Sequence, residues 1–193
     1  MSVAAVRRVV ARLDPGDPPT DGELVLALAG DRREAAFTAL VGRYGPMVLG
    51  VCRGVLADAH AAEDVFQAVF LVLARRAGAI RPPGAVGGWL YGVAVRMARK
   101  AKTAAVRRRR REMATTLANP VRKAGGAEDA SGSELDRAEL RAVIDEELAA
   151  LPDAHRAAVV LCDLQGKTRA EAAAELARPE GTVGAWLARG RKA

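Results

Sequence analysis

Apolar residues recur at helical spacing along most of this chain. Leu24, Val25 and Leu28 follow Asp21 and predict a short helix. Ala36, Phe37, Leu40, Val41 and Tyr44 repeat at i, i+3 and i+4. Met47, Val48, Val51 and Val55 continue that spacing beyond Pro46, which either starts a new helix or kinks a longer one. Asp58 opens a third pattern. Val65, Phe66, Val69, Phe70, Val72 and Leu73 form its stripe, with Glu63, Asp64 and Gln67 opposite, until Gly78. Arg81-Pro82-Pro83-Gly84 reads as a loop. A helix from Val86 to about Arg111 then carries Trp89, Leu90, Val93 and Met97 on one side.

Periodicity fails between Glu112 and Ser133, where Asn119-Pro120, Gly125-Gly126 and Ser131-Gly132-Ser133 mark a flexible linker. Helix resumes through Leu135, Leu140, Ile144, Leu148 and Leu151 up to Pro152, and again through Ala157, Val160, Leu161 and Leu164. Thr168-Arg169-Ala170-Glu171 is a capping box, in which hydroxyl and carboxylate each satisfy a free amide at a helix start. The break Ala177-Arg178-Pro179-Glu180-Gly181 separates that helix from another beginning near Thr182. The expected fold is all-α: two small helical domains joined by a flexible linker, the second with a helix-turn-helix. Residues 1–19 form an N-terminal extension, in which Val3, Val6, Val10 and Leu13 suggest a further short helix. The domains are 20–111 and 134–193, with 112–133 as the linker. The chain reaches Ala193 in what reads as a continuing helix without a C-cap.

Composition agrees with small helical cores. Of 193 residues 42 are Ala and only 4% are aromatic, which disfavours a large sheet. No uncharged apolar run is long enough for a membrane span. Cys52 and Cys162 form neither a disulfide framework nor a metal set, as expected for a reducing cytoplasm.

Charge sharpens the picture. The net +7 is distributed as +1 over 1–20, zero over 21–95, +10 over 96–123, −7 over 124–165 and +3 over 166–193. Two basic zones flanking an acidic stretch suit a polyanion touched at both ends. In the helix-turn-helix, Ala172, Ala173, Leu176, Val183 and Leu187 pack inward. Thr182, Trp186 and Arg189 face a groove, with Lys167, Arg178 and Arg191 placed for phosphates. The run Arg107 to Arg111 reads either as a solvated helix end or, with Arg96, Arg99, Lys100 and Lys102, as a phosphate track. Trp89 and Tyr91 lie just upstream as stacking candidates. Glu63 and Asp64 are adjacent and do not face each other on a helix, so they suit docking rather than catalysis. His60 and His155 stand alone. Nothing points to a catalytic residue, a metal or a cofactor.

Three stretches resemble the extracytoplasmic-function sigma factors, small promoter-recognition subunits of bacterial RNA polymerase. Ala62-Glu63-Asp64-Val65-Phe66-Gln67-Ala68-Val69-Phe70 is similar to a segment of the family's region two. Gly88-Trp89-Leu90-Tyr91-Gly92-Val93-Ala94 with its basic helix is similar to another. Leu151-Pro152, Gly166-Lys167-Thr168 to Leu176, and Pro179-Glu180-Gly181-Thr182-Val183 resemble region four.

The resemblance implies that Glu63, Asp64, Gln67 and Phe70 dock on core RNA polymerase. The loop 78–88 with Trp89 and Tyr91 would capture the minus-ten promoter element, its backbone held by Arg96, Arg99, Lys100, Lys102 and Arg107. The second domain would read the minus-thirty-five element. The family is commonly restrained by an anti-sigma factor, though no residue here identifies one. A cytoplasmic chain, monomeric when free, is expected. Gly184 and Trp186 depart from the family pattern, which usually carries Lys and Arg there, so minus-thirty-five contacts are altered. The alternative reading is a stand-alone helix-turn-helix regulator, which has no need of the 61–70 docking face.

Overall fold

The computed structural model describes residues 18–30, 32–117 and 132–192, and among these residues the fold is helical without strands. The first domain contains α1 (Asp21–Ala29), α2 (Arg33–Val55), α3 (Ala59–Arg76) and α4 (Val86–Leu117). The second contains α5 (Gly132–Ala150), α6 (Asp153–Val159), α7 (Arg169–Leu176) and α8 (Glu180–Gly190). The extension 1–17 and linker residues 118–131 lie outside the described residues.

The helix starts are written into the sequence. Thr20 caps α1 and Thr168 caps α7, each through a complete capping box with Glu23 and Glu171, and Asp58 accepts the Ala61 amide at the start of α3. The helix α2 runs unbroken through Pro46. Leu40, Tyr44, Val48, Val51 and Cys52 are all buried on one face, and this packing outweighs the roughly 3 kcal/mol that an interior proline costs a helix. By length and composition alone α2 could cross a membrane. Here it is the central strut of the first core, packed on α1, α3 and α4.

The second core is separate and smaller. Leu151, Ala157, Ala158, Leu161, Leu176, Val183 and Leu187 close it, with alanines admitting close helix crossings. After α6 the chain widens into a π-type turn over Val160–Leu164, in which the Gln165 amide donates to the Val160 carbonyl (3.1 Å). The turn of the helix-turn-helix places Ala177 in the left-handed region (φ 49°), a position usually given to glycine. The Arg178 amide bonds the Ala173 carbonyl there (3.0 Å), and Pro179 opens α8.

Three boundaries differ from expectation. The helix α4 continues to Leu117 and α5 begins at Gly132, so helix enters both ends of the stretch read as linker. The last helix closes at Gly190 with Arg191 as its cap, instead of continuing.

The two domains are in contact. Val160 of the second domain sits in the first core, and α4 packs on both α5 and α6.

Candidate nucleic-acid interface

The polar face of α3 is built as expected. Val65, Val69, Phe70 and Leu73 turn inward, leaving Glu63, Asp64 and Gln67 exposed on the opposite side. Among the described residues Arg53 forms a long ion pair with Glu63 (4.0 Å). Phe70 is a correction: at 3% exposure it meets Phe37 edge-on (ring centroids 6.2 Å) and Phe66 (5.1 Å), so it supports the face from beneath. Positions three apart share a helix flank, so Phe70 lies at the border of the polar face and is buried by its contacts with Phe37 and Phe66.

The helix α4 changes character along its length. Its first turns are buried in the first core, and from Arg96 its charged side chains emerge. Arg96, Lys100 and Arg107 fall within one narrow stripe, because spacings of four and eleven return nearly to the same azimuth. Lys102 is exposed on an adjoining face, while Arg99 pairs with Glu146 at 2.8 Å. Trp89 is half-buried and borders a groove with Ile80, Arg81, Ala85 and Asp153.

Tyr91 is the second correction. It is 2% exposed and donates its hydroxyl to Asp145, so its ring does not stack on bases in this arrangement. Burial, reinforced by that carboxylate, pushes its phenol well above the usual tyrosine range. Burial likewise holds the Asp145 carboxyl above its ordinary value, partly offset by the Tyr91 bond.

That raised value has a definite sign. The neutral form of Asp145 fits the folded state better, so its contribution is fully present below the unfolded carboxylate pKa and is lost as pH rises through the folded one. Asp145→Asn should therefore match or exceed wild-type stability at pH 7 and flatten this part of the profile. Asp145→Ala, which leaves a buried hydroxyl unpaired, should cost about 1–3 kcal/mol. Thermal melts between pH 4 and 8 distinguish the two.

In the second domain Arg178 and Arg189 are exposed beside the helix-turn-helix. Arg191 is exposed and forked onto Asp163 (2.6 and 3.1 Å). Thr182 and Trp186 are half-buried, and Trp186 packs on the second core, leaving only part of its ring for a groove. Lys167 is the third correction: its ammonium bonds Glu175 (2.8 Å) and Asp21 (3.4 Å) and is 22% exposed, so it faces the first domain and not a phosphate.

Sequence reading missed two cations. Arg169 lines a hollow with Lys167, Thr168, Gly184 and Arg191. A Cβ on Gly184 would stand 3.8 Å from the Arg169 side chain, an ordinary contact, so packing does not require glycine there. Arg156 is buried between the domains, and no local pattern marked it.

Cys52 and Cys162 are both free thiols. Burial raises the Cys52 thiol to about 11, and Cys162 is raised by burial and by Asp163. Among the described residues no cluster of His, Cys, Asp or Glu could hold a metal ion.

An exposed polar face, a helix bearing a cationic stripe and a capped helix-turn-helix give the chain two helical modules suited to contact with nucleic acid. The sigma-70 region 2 family model matches residues 40–112 and the sigma-70 region 4 model matches 141–193. The RNA polymerase sigma-H factor of Pseudomonas aeruginosa is 30% identical, covering 85% of this chain and 86% of that protein. The ECF RNA polymerase sigma factor SigM of Mycobacterium tuberculosis is 32% identical over 89% of this chain and 81% of its own. The solved structure of CnrH in complex with the cytosolic domain of CnrY aligns with 90% of this chain and 94% of that one, at 20% identity and a TM-score of 0.41. The chain belongs to the extracytoplasmic-function sigma factors of the sigma-70 family.

Proposed function

We propose that this chain binds core RNA polymerase and directs it to particular promoters as a non-catalytic, cytoplasmic initiation factor. Residues 20–111 act as the unit that docks on polymerase and melts the minus-ten element. Residues 134–193 read the minus-thirty-five element, and 112–133 connect the two. The observation that carries the reading is the exposed Glu63, Asp64 and Gln67 face of α3 on the same domain as the Arg96, Lys100 and Arg107 stripe. A duplex-binding regulator needs the cations but has no use for the acidic face.

The stripe holds the displaced strand by its phosphates, with Trp89 offering an aromatic edge to an unstacked base. In the second domain α8 enters the major groove through Thr182 and Arg189, and Arg178 and Arg191 contact the backbone. Gly184 contributes no side chain to that groove, so minus-thirty-five recognition depends on fewer contacts than the family pattern provides. An anti-sigma factor is the expected restraint on such a protein.

Two measurements test the reading. Asp64→Ala combined with Gln67→Ala should lower retention on immobilised core polymerase at least about tenfold, a change of roughly 1.4 kcal/mol. Unchanged retention overturns the docking face. Neutralising Arg96, Lys100 and Lys102 should flatten the salt dependence of open-complex formation by up to about three single-strand phosphate contacts, each worth a slope of roughly 0.7. An unchanged slope overturns the phosphate track. Tight duplex binding that ignores polymerase would favour the stand-alone regulator instead.

A further inference from the structure

We infer that Arg169, the first residue of α7, supplies the cation that the first turns of α8 lack, its guanidinium reaching over the bare backbone of Gly184 to hold one phosphate of the duplex. This deepens the reading of the second domain given above and rests on it.

The helix that enters the groove is poorly charged for the task. It carries no cation before Arg189, and its first residue, Glu180, is an acid. A polyanion meeting the N-terminal half of α8 therefore finds no positive side chain on that helix to receive its backbone.

Arg169 is placed where that charge is missing. Lys167, Thr168 and Arg169 at the start of α7 line one hollow with Gly184, Ala188 and Arg191 from the other helix and its cap. A Cβ on Gly184 would stand 3.8 Å from Nη1 and 3.9 Å from Cδ of Arg169. A methyl fits at those distances. A longer side chain would grow into the space that the Arg169 guanidinium now occupies, so glycine at 184 is what keeps that space for a residue of α7.

The three cations around the hollow differ in how firmly they are held. Lys167 bonds Glu175 (2.8 Å) and Asp21 (3.4 Å), and Arg191 is forked onto Asp163 (2.6 and 3.1 Å). Arg169 pairs with Glu180 at 3.8 Å, with the two side chains 64% and 55% exposed. So long and solvated a pair contributes little. It draws the guanidinium across the turn towards α8, and a phosphate, which accepts two parallel N–H bonds at shorter range, displaces the carboxylate. In a helix-turn-helix the first helix crosses the nucleic-acid backbone while the second lies in the groove. A cation that starts the first helix and leans on the second meets the backbone at the edge of that groove.

The test measures binding of the full chain to a labelled mixed-sequence duplex across a salt series. Arg169→Ala should weaken binding about five- to tenfold near 0.1 M salt and reduce the slope of log K against log salt by about 0.9, the share of one duplex phosphate. Gly184→Lys alone should change affinity by about twofold at most, because two cations then contend for one phosphate. In the Arg169→Ala background the same lysine should restore most of the affinity and the slope. Circular dichroism at the assay temperature keeps a loss of folding apart from a loss of contact. An unchanged slope for Arg169→Ala overturns the phosphate contact. Equal gains from Gly184→Lys in both backgrounds would mean two independent phosphates and overturn the exchange between the helices. Retention on core polymerase is read in parallel: a chain that is not retained, yet loses slope with Arg169→Ala, counts against the proposed function and leaves the Arg169 contact standing.

Discussion

Arg156→Ala is expected to be among the most damaging single substitutions in the chain, lowering the unfolding free energy by about 3 kcal/mol or more. The Arg156 guanidinium is buried and donates to the carbonyls of Gly88 (2.9 Å), Leu151 (2.9 Å) and Ala149 (3.1 Å). Its carboxylate partner, Asp153, is almost wholly exposed, so that pair contributes little by itself. The cost comes from the carbonyls. Truncation removes three side-chain hydrogen bonds at once and leaves a hollow where the side chain lay. Arg156→Lys replaces a planar fork with a single ammonium that cannot span three acceptors, so it should recover only part of the loss. Urea unfolding followed by Trp89 and Trp186 fluorescence measures both. A loss below about 0.5 kcal/mol for the alanine variant would place it with ordinary surface changes and contradict this account.

Arg156 also shows where sequence reading ends. The elements were legible because their determinants are local: capping boxes at Thr20 and Thr168, the apolar stripe of α3, and the Pro179 break before α8. The far end of α4 was misjudged because the apolar pattern stops near Arg111. Arg, Glu, Met and Leu are nevertheless good helix formers, and an Arg108–Glu112 pair (3.8 Å) spans the next turn. The exposed polar face of Glu63, Asp64 and Gln67 was legible, because helical azimuth alone sets it.

Phe70, Tyr91 and Lys167 were misplaced for a shared reason. Each is decided by a neighbour distant in sequence: Phe37 for Phe70, Asp145 for Tyr91, and Asp21, 146 residues away, for Lys167. The segmental charges, +10 on 96–123 against −7 on 124–165, did carry a trace of this. They were read as contact with DNA and an acidic bridge, whereas here part of that charge is satisfied within the chain, between Arg99 and Glu146.

Asp21→Ala is the second substitution expected to have a large effect, about 3–5 kcal/mol, because it removes a buried charge on which several donors converge. The Asp21 carboxylate is fully buried at the first turn of α1, where the helix dipole also favours it. It accepts from Arg43, from the buried Tyr44 hydroxyl and from Lys167. Without it the buried Tyr44 hydroxyl loses the acceptor of its proton, and Lys167 keeps Glu175. Asp21→Asn keeps an acceptor for Tyr44 but abandons both cations, so it should fall between the two. Lys167→Ala alone should cost less, since that ammonium is partly solvated and carries no buried hydroxyl with it. The informative quantity is the coupling. Asp21 belongs to the first domain and Lys167 to the second, so a double-mutant cycle reports directly on the contact between them, and an interaction energy of about 0.5–3 kcal/mol is expected. A coupling near zero, with each single loss intact, would mean that Asp21 acts only within the first core. The contact between the domains would then rest on Arg156 and its bond to the Gly88 carbonyl, without help from the ion cluster.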